Sequence, residues 1–197
     1  MLWAARTVYL IGGGPSLSGF EFERIRGRGV VVAINDAALH VPWADAVLSI
    51  DTVWMRNRAA NLRAFPGERI LIAPEDRADT PDIPGATYLV RKRGAGISAD
   101  HGIVLTGDNS GFAALGLALM RKAGRVGLLG YDMRSPGHWH AGYAWRSRHG
   151  ARDYPAWVQN FRVLDRVARH RGIRVVNCNP RSAIRCFEFG KPEEIAE

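Results

Sequence analysis

Short runs of consecutive apolar residues recur along this chain, and most of them end in glycine, proline or a small polar residue. Runs of this kind predict strands that are buried on both faces, because a strand with one wet face alternates apolar and polar residues. The predicted strands cover residues 8–11, 30–34, 46–50, 70–73, 87–90, 126–129 and 173–176.

Helical periodicity fills several of the intervals between these runs. Residues 52–64 and 157–169 are amphipathic, whereas residues 110–122 are apolar nearly all round and predict a buried helix. Residues 75–84 and 94–106 are predicted to be loops, and no further strand is expected after residue 176. Strands that alternate with helices predict an α/β fold, a Rossmann-like, doubly wound and mostly parallel sheet with helices on both faces.

Composition narrows the class of protein. The chain has 197 residues, of which 47% are hydrophobic and 23% charged, so residues 1–197 are predicted to form a single domain. Cys178 and Cys186 lack the spacing of a zinc site, and the opening residues lack a signal-peptide pattern, which together favour a reducing cytoplasm. The longest apolar stretches are too short to cross a membrane.

The formal net charge is +8, and most of the basic residues are arginines. Such a charge is typical of proteins with an anionic partner, such as phosphates, nucleic acid or an acidic glycan. A solvated basic surface without function explains it equally well. Basic and aromatic residues are not interleaved, so a platform for single-stranded nucleic acid is not expected.

The first predicted strand runs into a glycine turn made of Gly12, Gly13, Gly14, Pro15 and Ser16. This order predicts a strand, a tight turn and a helix start, where free backbone amides and the positive helix end bind phosphate. We therefore expect the amides around Gly13 to be free and to point outward. Leu17 replaces the third glycine of a dinucleotide fingerprint and the P-loop lysine is absent, which argues against standard NAD and Walker sites. A tight turn without a ligand is the alternative.

Polar residues that follow the strands of an open parallel sheet converge on one crevice. Besides the glycine turn, the residues in such positions are Asn35, Asp36, Asp51, Gly130, Asp132, Asn177 and Asn179. A second helix entrance, Asn109-Ser110-Gly111, offers amides and a hydroxyl to a ribose, a phosphate or a leaving group. Plain N-capping accounts for Asn109 or Ser110 equally well.

Residues 137–143 place two histidines and two aromatic residues in a loop after the strand that ends near Asp132. Histidine suits a general base at neutral pH. His138 and His140 are alternate residues and could also ligate zinc, but no third ligand is close in sequence, so acid–base use is preferred and no metal is predicted. A surface loop without function is the alternative.

Taken in order, a series of segments resembles the MptE-like 6-hydroxymethylpterin diphosphokinase family. The series is GGGPSL, VVAIND, ADAVLSID, NSGFAALGLALMRKAGRVGLLGYD, GHWHAG and VVNCNPRSAI. It is also similar to the related bacterial sialyltransferases of glycosyltransferase family 42 and to the flagellin accessory-factor glycosyltransferases. These families occur in bacteria and their phages, and the resemblance spans most of the chain.

The sialyltransferase resemblance implies a cytidine nucleotide held by Gly12, Gly14, Ser16, Asn35, Ser110 and Gly111. It also implies that His140 or His138 is the base on the acceptor hydroxyl, with Tyr131 and Tyr143 as candidates for the departing phosphate. The diphosphokinase resemblance implies instead a purine triphosphate with magnesium, assisted by Asp51 and Asp132. The chain departs from the sialyltransferases in being shorter and in having Asn-Ser-Gly where they have Thr-Ser-Gly.

The leading hypothesis is a metal-independent glycosyltransferase that uses a CMP-activated sugar and an unidentified hydroxyl acceptor. Its nucleotide-binding candidates are Gly12, Gly13, Gly14, Pro15, Ser16, Asn35, Asp51, Asn109, Ser110 and Gly111. Its catalytic candidates are His140, His138 and Asp132. The first alternative is magnesium-dependent transfer of diphosphate from ATP or GTP to a small alcohol. The second is a nucleotide-binding or nucleic-acid-binding protein without catalysis.

Overall fold

A computed structural model describes residues 3–134, 137–140 and 153–195 of the chain. Its strands are β1 (Thr7–Ile11), β2 (Val30–Ile34), β3 (Ala46–Ser49), β4 (Glu68–Ala73), β5 (Thr87–Lys92), β6 (Ile103–Leu105), β7 (Arg125–Leu129), β8 (Arg174–Asn177) and β9 (Glu188–Phe189). They form one sheet in the order β6-β5-β4-β3-β2-β1-β7-β8-β9. Every neighbouring pair of strands in this order is parallel.

Helices cover both faces of the sheet, and the predicted α/β, Rossmann-like fold is confirmed. The α-helices are α1 (Ala37–His40), α2 (Thr52–Asn57), α3 (Ala59–Ala64), α4 (Ser110–Met120) and α5 (Tyr154–His170), and short 3₁₀ helices cover Pro15–Leu17, Phe22–Ile25 and Pro192–Glu194. Helices α4 and α5 pack on one face. The three shorter α-helices and the first two 3₁₀ helices pack on the other.

The core under α4 and α5 is built around Phe161. Its ring makes edge-to-face contacts with Phe112 of α4 at 5.6 Å and with Tyr131 after β7 at 6.0 Å, measured between ring centroids. All three side chains are at most 1% exposed. Because aromatic pairs of this geometry stabilise a core beyond the area they bury, they fix both helices against the central strands.

Several predicted boundaries were wrong. The predicted helix 52–64 is divided at Arg58, whose guanidinium Nε donates a hydrogen bond of 3.0 Å to the buried carboxylate of Asp36. The predicted loop 94–106 contains β6, and β9 follows the strand that was expected to be the last. These strands of three and two residues contain too few positions for a period of two to be visible in the sequence.

The direction in which successive strands are added to the sheet reverses at β1. Strands β2 to β6 extend from β1 to one side and β7 to β9 extend to the other. The connections after β1 and β7 therefore diverge, and a crevice opens outside the carboxyl ends of these strands. Among the described residues, no helix combines the length and the apolar character that crossing a membrane requires.

Candidate functional site

A cleft of about 650 Å³ opens over the carboxyl ends of β1, β2, β3, β5, β6 and β7. It is lined by all of the predicted nucleotide-binding and catalytic residues except Ser16. Tyr131 also lines it, whereas Tyr143 lies outside the described residues. Asn177 and Asn179 are bonded within the turn after β8, where the Asn179 amide donates to the Asn177 side chain over 3.1 Å.

The glycine turn extends the pairing of β1 with β7. The Gly12 amide donates to the Leu129 carbonyl over 2.8 Å, and the Gly14 amide donates to the Gly130 carbonyl over 2.9 Å. The expectation of free amides was therefore wrong for Gly12 and Gly14. The Gly13 amide, which lies between them, makes no hydrogen bond to any other residue that the structure describes.

The chain itself needs all three glycines. A Cβ atom at Gly12 would lie 2.9 Å from the Gly130 carbonyl oxygen, and a Cβ at Gly13 would lie 2.5 Å from Nδ1 of His138. At Gly14 a Cβ would meet a carboxylate oxygen of Asp132. The positions that the three Cβ atoms would take are filled by these groups, so the glycines do not by themselves indicate a phosphate.

Asp132 holds the turn through Ser16. Its carboxylate accepts a hydrogen bond of 3.0 Å from the Ser16 amide and one of 2.6 Å from the Ser16 hydroxyl. Both carboxylate oxygens are therefore occupied, and Ser16 points to Asp132 rather than into the cleft. These two residues, predicted to be catalytic and nucleotide-binding, make a contact that positions the turn.

The start of α4 faces the cleft with free amides. Asn109 caps the helix, since its side-chain oxygen accepts a 2.9 Å hydrogen bond from the Phe112 amide. The amides of Ser110 and Gly111 make no hydrogen bond within the described part of the chain. Amides at a helix start carry partial positive charge, so this end of α4 favours an anion.

Two side-chain oxygens in the cleft are buried and have no hydrogen-bond partner among the described residues: Oδ1 of Asn35 and Oγ1 of Thr106. Asn35 has a left-handed backbone with φ of 54°, and its side-chain amide donates to the Ser110 hydroxyl over 3.4 Å. Thr106 is 0% exposed. Buried polar atoms are nearly always satisfied in folded proteins, so these two oxygens need partners that the described residues do not supply.

Three imidazoles form a stack at one side of the cleft. The ring of His140 lies 5.2 Å from that of His138 and 5.1 Å from that of His40, both with interplanar angles of 28°. Trp139 anchors the segment, because its indole nitrogen donates to the Gly12 carbonyl over 3.1 Å and its amide donates to Gly13 over 3.1 Å. The stack fixes His138 directly above the glycine turn.

Burial lowers the pKa of His138 from its ordinary value of 6.5, and the Asp36 charge and a hydrogen bond to the Gly13 backbone oppose this effect. A bond that raises a histidine pKa is one in which the ring donates, and Nδ1 is the ring atom nearest to the position that a Cβ of residue 13 would take. The other nitrogen, Nε2, then carries the lone pair of a base at neutral pH.

Asp51, another acidic residue of the cleft, holds the start of a helix beside it. Asp51 caps α2 by accepting hydrogen bonds from the Val53 and Trp54 amides at 2.9 and 3.1 Å.

The Tyr131 hydroxyl donates to the Gly111 carbonyl over 3.0 Å, and burial raises its pKa well above 10.0. Within the described ranges, no three His, Cys, Asp or Glu side chains lie close enough together to hold a metal.

Sequence reasoning missed several residues of the cleft. Arg91 was not among the candidates, but its guanidinium donates to the Ile50 carbonyl over 2.9 Å and it lines the cleft. Thr106 was missed because it was placed in a loop rather than at the end of β6. The other missed lining residues are Thr52, Val53, Arg56, Asp79, Asp108, Met133, Tyr154 and Trp157. Tyr154 and Trp157 lie in the first turns of α5. Two aromatic residues at the start of a helix were visible in the sequence and could have been named as candidates.

Comparison of the chain with protein-family models, with curated proteins and with solved structures finds no significant match.

Replacing Thr106 by valine tests whether its hydroxyl lacks a partner in the free protein. Valine keeps the volume and removes the unsatisfied oxygen, so Thr106→Val should raise the free energy of unfolding by about 1 kcal/mol. The matched control is Ser182→Ala, because the Ser182 hydroxyl is buried and donates to the Tyr131 carbonyl over 2.6 Å. The control should lower stability by about 1 kcal/mol. Chemical denaturation measures both, and equal losses would show that Thr106 has a partner.

Proposed function

We propose that the cleft binds a nucleotide-activated donor, a CMP-sugar, and that the protein is a transferase moving the sugar to a hydroxyl acceptor. One observation carries the proposal. The free amides of Gly13, Ser110 and Gly111 and the unpartnered oxygens of Asn35 and Thr106 all belong to residues that line this cleft. Amides bind phosphate oxygens and side-chain oxygens accept from amino and hydroxyl groups, which are the groups that a nucleotide carries.

The start of α4 is the proposed phosphate site, with the Gly13 amide as an additional donor. This differs from the expectation that the whole glycine turn binds phosphate, because the Gly12 and Gly14 amides are already bonded to β7 carbonyls. The Asn35 side chain, bonded to the Ser110 hydroxyl over 3.4 Å, extends the site towards β2. Its oxygen, which has no partner among the described residues, would accept a hydrogen bond from the nucleoside.

The charges of the cleft support a donor with one phosphate. Five aspartates and two arginines line it. Three of the aspartates are paired with arginines, so the lining offers little positive charge for a triphosphate. The pairs are Asp36 with Arg58, Asp79 with Arg56 and Asp108 with Arg93. A triphosphate would need a bound cation, whereas a single phosphodiester is served by backbone amides.

His138 is the proposed base. Its Nε2 would take the proton of the acceptor hydroxyl as the acceptor oxygen attacks the anomeric carbon. The bond from that carbon to the phosphate oxygen breaks, and CMP leaves with the bonding electron pair. Amides aimed at the departing phosphate stabilise its growing charge. His140 was the first candidate from the sequence, but it is stacked between two rings and its Nδ1 is buried.

Magnesium-dependent diphosphate transfer has less support from the same cleft. That alternative assigns the metal to Asp51 and Asp132. Both carboxylate oxygens of Asp132 accept hydrogen bonds from Ser16, and one oxygen of Asp51 accepts from the amides at the start of α2. Binding Mg²⁺ through these carboxylates would compete with hydrogen bonds that hold the turn and the helix.

Thermal unfolding in the presence of nucleotides tests the proposal. Because a ligand that binds only the folded state raises its stability, CMP should raise the melting temperature with a chelator present. ATP or GTP with magnesium should have a smaller effect. The Thr106→Val protein, although more stable alone, should gain less from CMP. A shift with ATP and magnesium alone would support diphosphate transfer, and no shift with any nucleotide would refute the proposed donor.

Removing the His138 imidazole tests its role in the chemistry. His138→Ala should lower kcat at least about 100-fold, the usual contribution of a general base, and should change the dissociation constant of CMP by less than about threefold. The turnover rate of the wild-type protein should decrease only as the pH falls below 6.5. The pKa of His138 is lowered from 6.5, so the imidazole is still a neutral base at that pH. His140→Ala is the matched control. If only His140→Ala abolishes turnover, His140 is the base.

A further inference from the structure

The solvent face of α5 carries Arg162, Arg166 and Arg169. Their spacing of four and three residues places them on one side of the helix, since residues three and four apart are neighbours on a helix surface. The buried residues of α5 lie on the opposite side, where they pack against the sheet. We call the three residues the α5 arginine face.

The net charge of the protein is concentrated around this face. Residues 162–185 contain seven arginines, one aspartate and no lysine, which gives +6 of the total of +8. All seven arginines are exposed. The rest of the chain is therefore close to neutral, and the basic character belongs mainly to α5 and the segment after it.

Part of this charge is neutralised within the protein, since Arg174 is paired with Glu188, a residue just beyond this segment. Arg169 is paired with Asp165 over 3.0 Å, but its side chain remains 71% exposed. Arg162 and Arg166 make no ion pair with any residue in the described ranges. Uncompensated charges this close together repel one another, so an anion that binds across them relieves a cost the free protein bears.

We propose that the α5 arginine face binds the phosphate backbone of a nucleic acid. Guanidinium groups bind phosphate oxygens through two parallel hydrogen bonds, and a row of them matches a polymer in which phosphates repeat. The contacts involve the backbone and predict little preference for sequence. This surface is separate from the cleft, and its function does not depend on which donor the cleft binds.

An anionic membrane fits this surface less well. A helix that lies in a membrane interface needs an apolar face beside its basic one. The large apolar side chains that are exposed in the described part of the protein are Leu39, Val53 and Phe189. None belongs to α5, and Phe189 lies under the guanidinium of Arg185 at 5.3 Å.

Binding of a short, fluorescein-labelled DNA duplex, followed by fluorescence anisotropy at several salt concentrations, tests the proposal. The affinity of the wild-type protein should fall steeply with salt. Arg162→Gln with Arg166→Gln should lower the slope of log K against log salt by about 2, because each lost phosphate contact removes about 0.9. Their replacement by lysine keeps the charge and should keep the wild-type slope, but it should weaken the affinity because an ammonium group cannot make the two parallel hydrogen bonds of a guanidinium.

The matched control is Arg26→Gln with Arg28→Gln. These residues are exposed and follow Ile25, which packs in the core on the other face of the sheet. The control removes the same charge and should keep the wild-type slope. Equal losses in the two glutamine variants would show general attraction by net charge and overturn the proposal. Binding to phosphatidylserine vesicles but not to the duplex would assign the face to a membrane instead.

Discussion

The pairing of β1 with β7 is the interaction on which the site depends. This pair continues beyond both strands, because the Gly12 and Gly14 amides donate to the carbonyls of Leu129 and Gly130. The glycine turn is thereby fixed against the residues that lead to Asp132. Asp132 in turn holds Ser16, so the end of β7 determines where the chain goes after β1. The cleft has its shape because these two strand ends are tied together.

The same pairing accounts for the glycines. A turn that follows a neighbouring strand so closely has no room for side chains, and its glycines accommodate the Gly130 carbonyl, His138 and Asp132. Alternation along the extended backbone leaves the amide of Gly13 facing away from β7. The glycine turn therefore contributes one donor to the cleft, and the start of α4 contributes the others. The proposed anion site lies between two elements rather than on one motif.

The sequence predicted the fold well because the central strands are continuous apolar runs. It located β1, β2, β7 and α4 to within a few residues, since burial on both faces produces a clear pattern. It missed β6 and β9, which are too short for a pattern, and it missed the break at Arg58. At that break the Arg58 side chain bonds to Asp36, a residue 22 positions away, and no local propensity reports such a contact.

The nucleotide-binding and catalytic candidates, except Ser16, line the cleft as the sequence predicted, but their hydrogen bonds were not predicted. The rule that strand ends converge brought these candidates together. It could not show which backbone amides already donate hydrogen bonds within the protein, as those of Gly12 and Gly14 do. Thr106 was missed because β6 was not predicted, and Arg91 was missed because β5 was predicted to end at residue 90. Whether a polar group is free depends on register and on partners distant in sequence, as the Ser16–Asp132 contact shows, and a motif states neither.

The central claim is that the free amides of Gly13, Ser110 and Gly111 receive the phosphate of a nucleotide. Titration of the ¹⁵N-labelled protein with CMP, followed by amide NMR, measures this directly. The account predicts that these three amides shift and exchange more slowly with solvent, while those of Gly12 and Gly14, already bonded to β7, keep their slow exchange. Unchanged resonances of all three at saturating CMP, or a response confined to other parts of the protein, would contradict it.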